Sequence, residues 1–244
     1  MRSLCAFELL DLWEKGKGRQ AVHNGLAMLS VAYPDVSLEQ LTRLSIGERD
    51  SCILKLREIA FGPWLMGQAT CPACGEDLEL KFSTGDIQAV QKTDGKAVED
   101  CSFNGYVLKF RLPNSLDLLS LSGCTDLVEA RRILLSRCIL FANYRGNELP
   151  IDELPGEVLD AVVKRMEEID PQSDVQLDLV CPQCFHRWQI PFDIVSFFGK
   201  EIDHWAKHLL LEVHLLAKAY GWSETEILRM SPWRRHFYLE MIGK

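Results

Sequence analysis

The turn Cys-Pro-x-Cys is written twice in this chain, as Cys71-Pro-Ala-Cys74 and as Cys181-Pro-Gln-Cys184. Apolar and polar residues alternate beside each copy, in "EDLELKF" after the first and in "VQLDLV" and "HRWQIPFDI" around the second. Alternation with period two is the pattern of a half-buried strand, so each pair is expected at the turn of a β-hairpin. Such a turn presents both sulfurs to one side while its backbone N–H groups offset thiolate charge. Two of them supply the four sulfur ligands of a tetrahedral structural metal site, with no position open to water or substrate. The expectation is one structural Zn2+ per chain on Cys71, Cys74, Cys181 and Cys184. The competing readings are an iron site, a redox pair, or two metal-free turns. A redox pair of the thioredoxin type belongs between a strand and a helix and needs no twin.

The spacing is unusual. Knuckles of a compact zinc ribbon stand about 15–20 residues apart, whereas residues 75–180 intervene here. A folded insertion must therefore return the second hairpin to the first, and a tetrathiolate closing so long a loop adds much to stability. Gly75 follows the first pair and Phe185 the second. If that position requires positive φ, Phe185 carries roughly 1–2 kcal/mol of backbone strain.

Around the hairpins the chain reads as helix. Residues 1–66 form an N-terminal helical block, including a capping box of Ser37 and Gln40 and a last helix that stops at Gly62-Pro63. Residues 67–82 and 175–192 form the zinc-ribbon-like unit. Between them, 83–174 is an inserted segment with a polar stretch, one strand ("YVLKFRL") and three helices ("NSLDLLSLSG", "TDLVEARRILLSRCILF", "PGEVLDAVVKRMEEID"). Residues 193–244 form a C-terminal helical block. Its long helix, expected over 197–220, aligns Trp205, Leu209, Val213, Leu216 and Tyr220, and further leucines widen the apolar surface enough to predict packing on more than one side. The fold class is α+β, mainly helical, in one interlocked body. A second echo matches Ser37, Ser45 and Arg49 to Ser223, Ser231 and Arg235; it reads equally as an internal duplication and as reuse of helix-start signals.

Composition narrows the function classes. A net charge of −8 is the wrong sign for a protein held to nucleic acid mainly by phosphate contacts. Nine cysteines, an odd count, and an opening without a leader-like stretch point to a reducing cytoplasm. No apolar run is long enough to span a membrane, since Arg137 interrupts "ILLSRCILFANY". Glu201, His204, His208 and Glu212 share one helical face, but no second Glu-x-x-His motif completes a di-iron site, which leaves a solvated face as the expectation. Neither a nucleophile elbow nor a phosphate-cradling loop is present, so no enzymatic activity is expected. Arg187 beside Trp188 sets a cation next to a stacking ring, as nucleic acid would need, against a reading in which Trp188 and Phe192 point inward.

Taken in order, "LREIAFGPWL", "TCPACGEDLEL", "FRLPNSLDLLSL", "DPQSDVQLDLVCPQCFHRWQIPFDI" and the tail from "EIDHWAKHLLLEVHLLAKAYGW" to "SPWRRHFYLEMI" resemble the baseplate hub assembly chaperone family of T-even phages. The likeness is to the form found in contractile injection systems and prophage-like loci, and it covers residues 41–242. The resemblance implies a non-enzymatic assembly chaperone or adaptor. Its partners would be baseplate, hub, spike or tube proteins, met in the cytoplasm or in the finished particle. In the tail, Trp233, Phe237, Tyr238 and Met241 recur at helical spacing, as anchors for a partner with Arg234 and Arg235 at the rim or as closure of the chain's own core. A zinc-ribbon nucleic-acid-binding or transcription-associated protein is the alternative function.

Overall fold

The computed structural model describes residues 1–89 and 97–242. Four helices open the chain, α1 (Ala6–Gly16), α2 (Ala21–Ala32), α3 (Leu38–Arg43) and α4 (Ile46–Phe61). Ser37 and Ser45 accept the N–H groups of Gln40 and Glu48, whose side chains return to the serine N–H, so two capping boxes in succession set the starts of α3 and α4. The apolar stripes of α1, α2 and α4 close on Leu29, Ala32, Ile53 and Leu56, together with Leu65 from the first hairpin and Ile194, Phe198 and Ile202 from the last long helix. The two helical blocks at the ends of the sequence thus share one core.

The first hairpin pairs β1 (Trp64–Thr70) with β2 (Asp77–Ser83) and runs into the single turn α5 (Thr84–Ile87). The inserted segment is richer in strand than its sequence suggests. It has a four-stranded antiparallel sheet of β3 (Glu99–Phe103), β4 (Tyr106–Phe110), β5 (Ile139–Tyr144) and β6 (Asn147–Glu148), with α6 (Ser115–Ser120) and α7 (Leu127–Cys138) between β4 and β5 and α8 (Gly156–Ile169) after β6. Two expectations change here. The polar stretch after Ser83 contains β3, which turns into β4 at Asn104 and Gly105, both at positive φ as a two-residue hairpin turn demands. The run expected as one helix from Thr125 to Phe141 stops at Cys138, because Phe141 and Ala142 pair with Lys109 and Leu108 of β4. Leu108, Phe110, Leu135, Ile139, Val158, Val162 and Ile169 give this segment a core of its own.

One polar contact ties the insertion to the N-terminal block, and a second network braces it from within. Asp170, at the end of α8, accepts a hydrogen bond from the Gly47 N–H in the first turn of α4 (2.9 Å). A Cβ at Gly47 would lie 2.0 Å from Asp170 Oδ1, so only glycine allows this approach. Asp117, whose side chain is wholly buried, receives both Nη groups of Arg111 (2.6 and 2.9 Å), Nε of Arg137 (2.8 Å) and the Asn114 N–H (3.0 Å). Burial favours its neutral form, but these donors overcome it and hold the pKa at about 2. A depressed carboxyl contributes stability at pH above the unfolded value of 3.8 and loses it as pH falls toward 2. With Arg137 43% exposed, the contribution is roughly 1–2 kcal/mol. The Asp117→Asn variant is expected to lose that amount at neutral pH and to show a shallower loss of stability than wild type between pH 4 and 2 in urea titrations.

The second hairpin pairs β7 (Gln176–Val180) with β8 (Arg187–Pro191), and the chain ends in α9 (Ile194–Tyr220), α10 (Glu224–Leu228) and α11 (Pro232–Ile242). Asp193 caps α9 by accepting from the Val195 and Ser196 N–H groups, so this helix begins before the expected residue 197. Its near half faces α1, α2 and α4, and its far half, through Ala206, Leu209, Val213 and Leu216, closes a third core with Leu10, Ile227 and Leu228. Packing on more than one side is what its wide apolar surface demands. The Ser-Ser-Arg echo has a structural counterpart. Ser223 caps α10 with Glu226, Ser231 accepts from the Arg234 N–H in α11, and Arg49 and Arg235 are each only 5% exposed.

Candidate metal centre

The β1–β2 pairing ends at Thr70↔Asp77 and the β7–β8 pairing at Val180↔Arg187, which leaves a six-residue turn in each hairpin. The two turns are built alike. The Cys71 N–H donates to the Glu76 carbonyl (2.8 Å) and the Gly75 N–H to the Cys71 carbonyl (2.9 Å); the Cys181 N–H donates to the His186 carbonyl (2.9 Å) and the Phe185 N–H to the Cys181 carbonyl (3.0 Å). Closing this loop needs a left-handed residue after the second cysteine, with φ of 77° at Gly75 and 58° at Phe185. Phe185 therefore carries the strain, roughly 1–2 kcal/mol, that glycine avoids.

The likeness extends past the turns. Phe82 and Phe192 follow their cysteine pairs at the same distance, and their rings meet edge to face at 5.6 Å between the hairpins. The next residue in each copy, Ser83 or Asp193, caps the helix that follows. The ring contact joins the two hairpins, and the sulfurs of their turns face one another. Cys71 Sγ stands 3.7 Å from Cys184 Sγ, Cys74 Sγ stands 3.5 Å from Cys181 Sγ, and all four sulfurs lie within 4.8 Å of one another. A disulfide needs about 2.05 Å, and all nine cysteines are free thiols. A tetrahedron with metal–sulfur bonds of ~2.3 Å has edges of ~3.8 Å. The four sulfurs fit such an ion, and zinc and iron are the metals this donor set suits.

Burial differs within each pair: Cys71 and Cys181 are enclosed, while Cys74 and Cys184 are exposed at the rim. Burial opposes ionisation of Cys71, but the N–H groups of Cys74 and Ala73 directed at its sulfur bring its pKa down to about 7. Although the N–H groups of Glu76 and His186 act the other way, hydrogen bonds among the sulfurs and burial push Cys74 up to about 12 and raise Cys184, so the thiols share protons that a bound cation would displace.

Residues 27–199 match the family described as T4 bacteriophage base plate protein. That span is more than two thirds of the chain and contains both hairpins and all four clustered cysteines. The chain belongs to the T4 base plate family. No curated protein and no solved structure is significantly similar to it. The family match ends at Gly199, early in α9, so the tail that carried much of the sequence resemblance lies beyond it.

The remaining candidate residues of this base plate family chain are placed as follows. Trp188 is half-buried and stacks on His186 (ring centres 5.9 Å apart), with Arg187 exposed beside it. His204 and His208 are exposed neighbours on α9, but the face they share with Glu201 and Glu212 is not simply solvated. Glu201 is held by Arg57 (2.8 and 2.5 Å) and Glu212 by Arg235 (3.0 Å), because buried guanidinium groups on α4 and α11 require carboxylate partners. The tail residues divide between surface and core. Trp233 and Phe237 stack on the outside, 77% and 48% exposed, with Arg234 exposed near Tyr238. Tyr238 packs edge to face on Trp222 and belongs to the third core. Arg235, expected at the rim, is instead inside, where its Nη1 donates to the Met230 carbonyl (2.8 Å) and its Nε reaches Glu212.

Sequence reasoning missed Arg57. Its side chain is 2% exposed, and besides Glu201 it donates to the carbonyls of Gly62 (2.6 Å) and Trp64 (2.7 Å), so it joins α4, the first hairpin and α9 at one point. The available signal was its position in line with Leu54 and Phe61 on the inward stripe of α4. A cation there must be paired.

Proposed function

We propose that this chain is a non-enzymatic assembly chaperone or adaptor for the base plate and hub of a contractile phage-tail-like particle, shaped by one structural zinc ion. The observation that carries the reading is a set of four inward-facing thiols, drawn from two hairpins far apart in sequence, within a base plate family match. With four thiolates an ion has no coordination position left for a substrate, so the metal acts on shape. Zinc suits such a role because it is redox-inert and tolerates tetrahedral sulfur without electronic preference. The work is done in the cytoplasm, where thiols stay reduced and particles are built.

The contact surface in this reading is the outer face of α11, where Trp233 and Phe237 stack in solvent beside Arg234. Aromatic and arginine side chains are the commonest anchors of protein interfaces. Arg235 and Tyr238 hold the helix to the body from inside. The test is affinity purification of a tagged copy from cells producing the particle, with crosslinking and mass spectrometry. Crosslinks to hub, spike, tube or base plate proteins are expected; nucleic acid or transcription machinery without tail proteins would transfer the chain to the zinc-ribbon alternative. The Trp233→Ala, Phe237→Ala double variant is expected to reduce that capture at least tenfold. Its melting temperature should stay within ~2 °C of wild type, because both rings face water. A fall of ~8 °C or more would make them core residues.

A further inference from the structure

We propose that the tip of the second cysteine hairpin is a rigid docking knob. In this account Phe185 enters an apolar socket on a partner protein, and Arg187 meets carboxylates at the socket rim. The inference rests on the base plate reading and adds a second contact surface, remote in sequence from α11.

The two hairpins serve as each other's control. At the same point of the same turn, one copy has Gly75 at φ 77° and the other Phe185 at φ 58°. Glycine shows that the turn does not require a side chain there. A phenylalanine imposes strain on the backbone, and strain of this kind persists where something other than the fold makes use of it. The fold gives nothing back to Phe185. Its side chain is 76% exposed, it belongs to none of the three cores, and no aromatic partner stands against it among the described residues. An exposed, strained aromatic ring is doubly unfavourable for the free chain, and both disadvantages are offset once the ring is buried by a partner.

Its neighbours identify the chemistry of that partner. Arg187 is exposed and forms no ion pair among the described residues, and His186 lies stacked on Trp188. The corresponding positions of the first hairpin are Glu76 and Asp77, with Glu79 two residues on, so one tip is cationic and aromatic while its sibling is acidic. A socket with an apolar floor and an acidic rim complements the former. A phosphate backbone does not fit as well, since the tip has a single permanent cation, Arg187, where tracking a row of phosphates takes several. Preorganisation favours the contact: the closed turn fixes the backbone under Phe185, so little freedom is lost on docking.

The test compares wild type with Phe185→Gly and Arg187→Glu. Each is mixed with base plate, hub, spike and tube proteins from a host depleted of this chain, and binding is read by co-sedimentation. Phe185→Gly is expected to keep its metal, to melt no lower than wild type and up to ~3 °C higher, and to lose at least tenfold in association. Arg187→Glu is expected to lose several-fold, with the loss shrinking at high salt. Association of Phe185→Gly equal to wild type overturns the knob while leaving the base plate reading intact. A melting temperature more than ~3 °C below wild type also overturns it, by making Phe185 a structural residue. Failure of the wild type to associate removes the base plate reading and the knob together. Binding of a single-stranded oligonucleotide by wild type but not by Phe185→Gly assigns the tip to nucleic acid and overturns the protein socket.

Discussion

Changing Cys181 to serine is expected to strip the metal from the protein and to lower its melting temperature by roughly 10–20 °C. Cys181 is fully buried, 3.5 Å from the sulfur of Cys74, so its loss leaves a three-sulfur site open on its enclosed side. Structural zinc contributes about 10–16 kcal/mol to the folding of small peptides that depend on it. Here part of that is retained without metal, because the hairpins also meet through Phe82 and Phe192 and are anchored by the shared core of α4 and α9. A net loss of about 5 kcal/mol in a chain of 244 residues corresponds to the stated shift. Serine at Cys5, Cys52, Cys101, Cys124 or Cys138 is expected to leave metal content unchanged, since none of these belongs to the sulfur cluster. Elemental analysis and calorimetry on the same samples decide the matter. Unchanged metal in the Cys181 variant would remove the site.

The second large effect is expected at Arg57. Replacing it by methionine keeps the length of the side chain and removes the charge. The Glu201 carboxylate, 25% exposed, is then left without its cation, and the carbonyls of Gly62 and Trp64 lose their donors at the start of the first hairpin. Breaking one side of a buried pair costs about 3–5 kcal/mol, or ~10 °C for a chain of this size. The double variant Arg57→Met, Glu201→Met is expected to recover much of that loss, because no charge is then stranded. A single variant within ~1 kcal/mol of wild type would show that water replaces the lost partners.

What the sequence reveals of this fold depends on whether the physics involved is local. The hairpins are legible because period-two alternation and Cys-Pro-x-Cys turns are written within a dozen residues, and the positive φ at Phe185 follows from the sibling glycine. Ser37 and Gln40 are likewise legible as a cap. Strand β5 is not, because "ILLSRCILF" has no glycine or proline to mark a break and the change from helix to strand at Ile139 is decided by pairing with β4. Strand β3 was hidden in a polar stretch, although Asn104-Gly105 carried the turn signal.

The same division runs through the candidate site. The cysteines declare themselves because few other uses explain two matched pairs. The pairing of Arg57 with Glu201 does not, since helical periodicity marks which face is buried but not which distant residue meets it. Arginine is usually solvated, which makes a rim the expected place for Arg235. Its place one turn into α11, behind the Ser231 cap, points it instead at Glu212, as the matching Arg49 is buried one turn into α4.

The central claim is that one ion, bound by four thiolates, joins two hairpins that are distant in sequence. X-ray absorption at the zinc edge, on protein purified from its own host and quantified for metal, tests it most directly. The account predicts one zinc per chain with four sulfur neighbours at ~2.3 Å and no nitrogen or oxygen in the first shell. Two sulfurs completed by nitrogen or oxygen, or substoichiometric zinc in a fully folded chain, would mean that the hairpins do not share an ion.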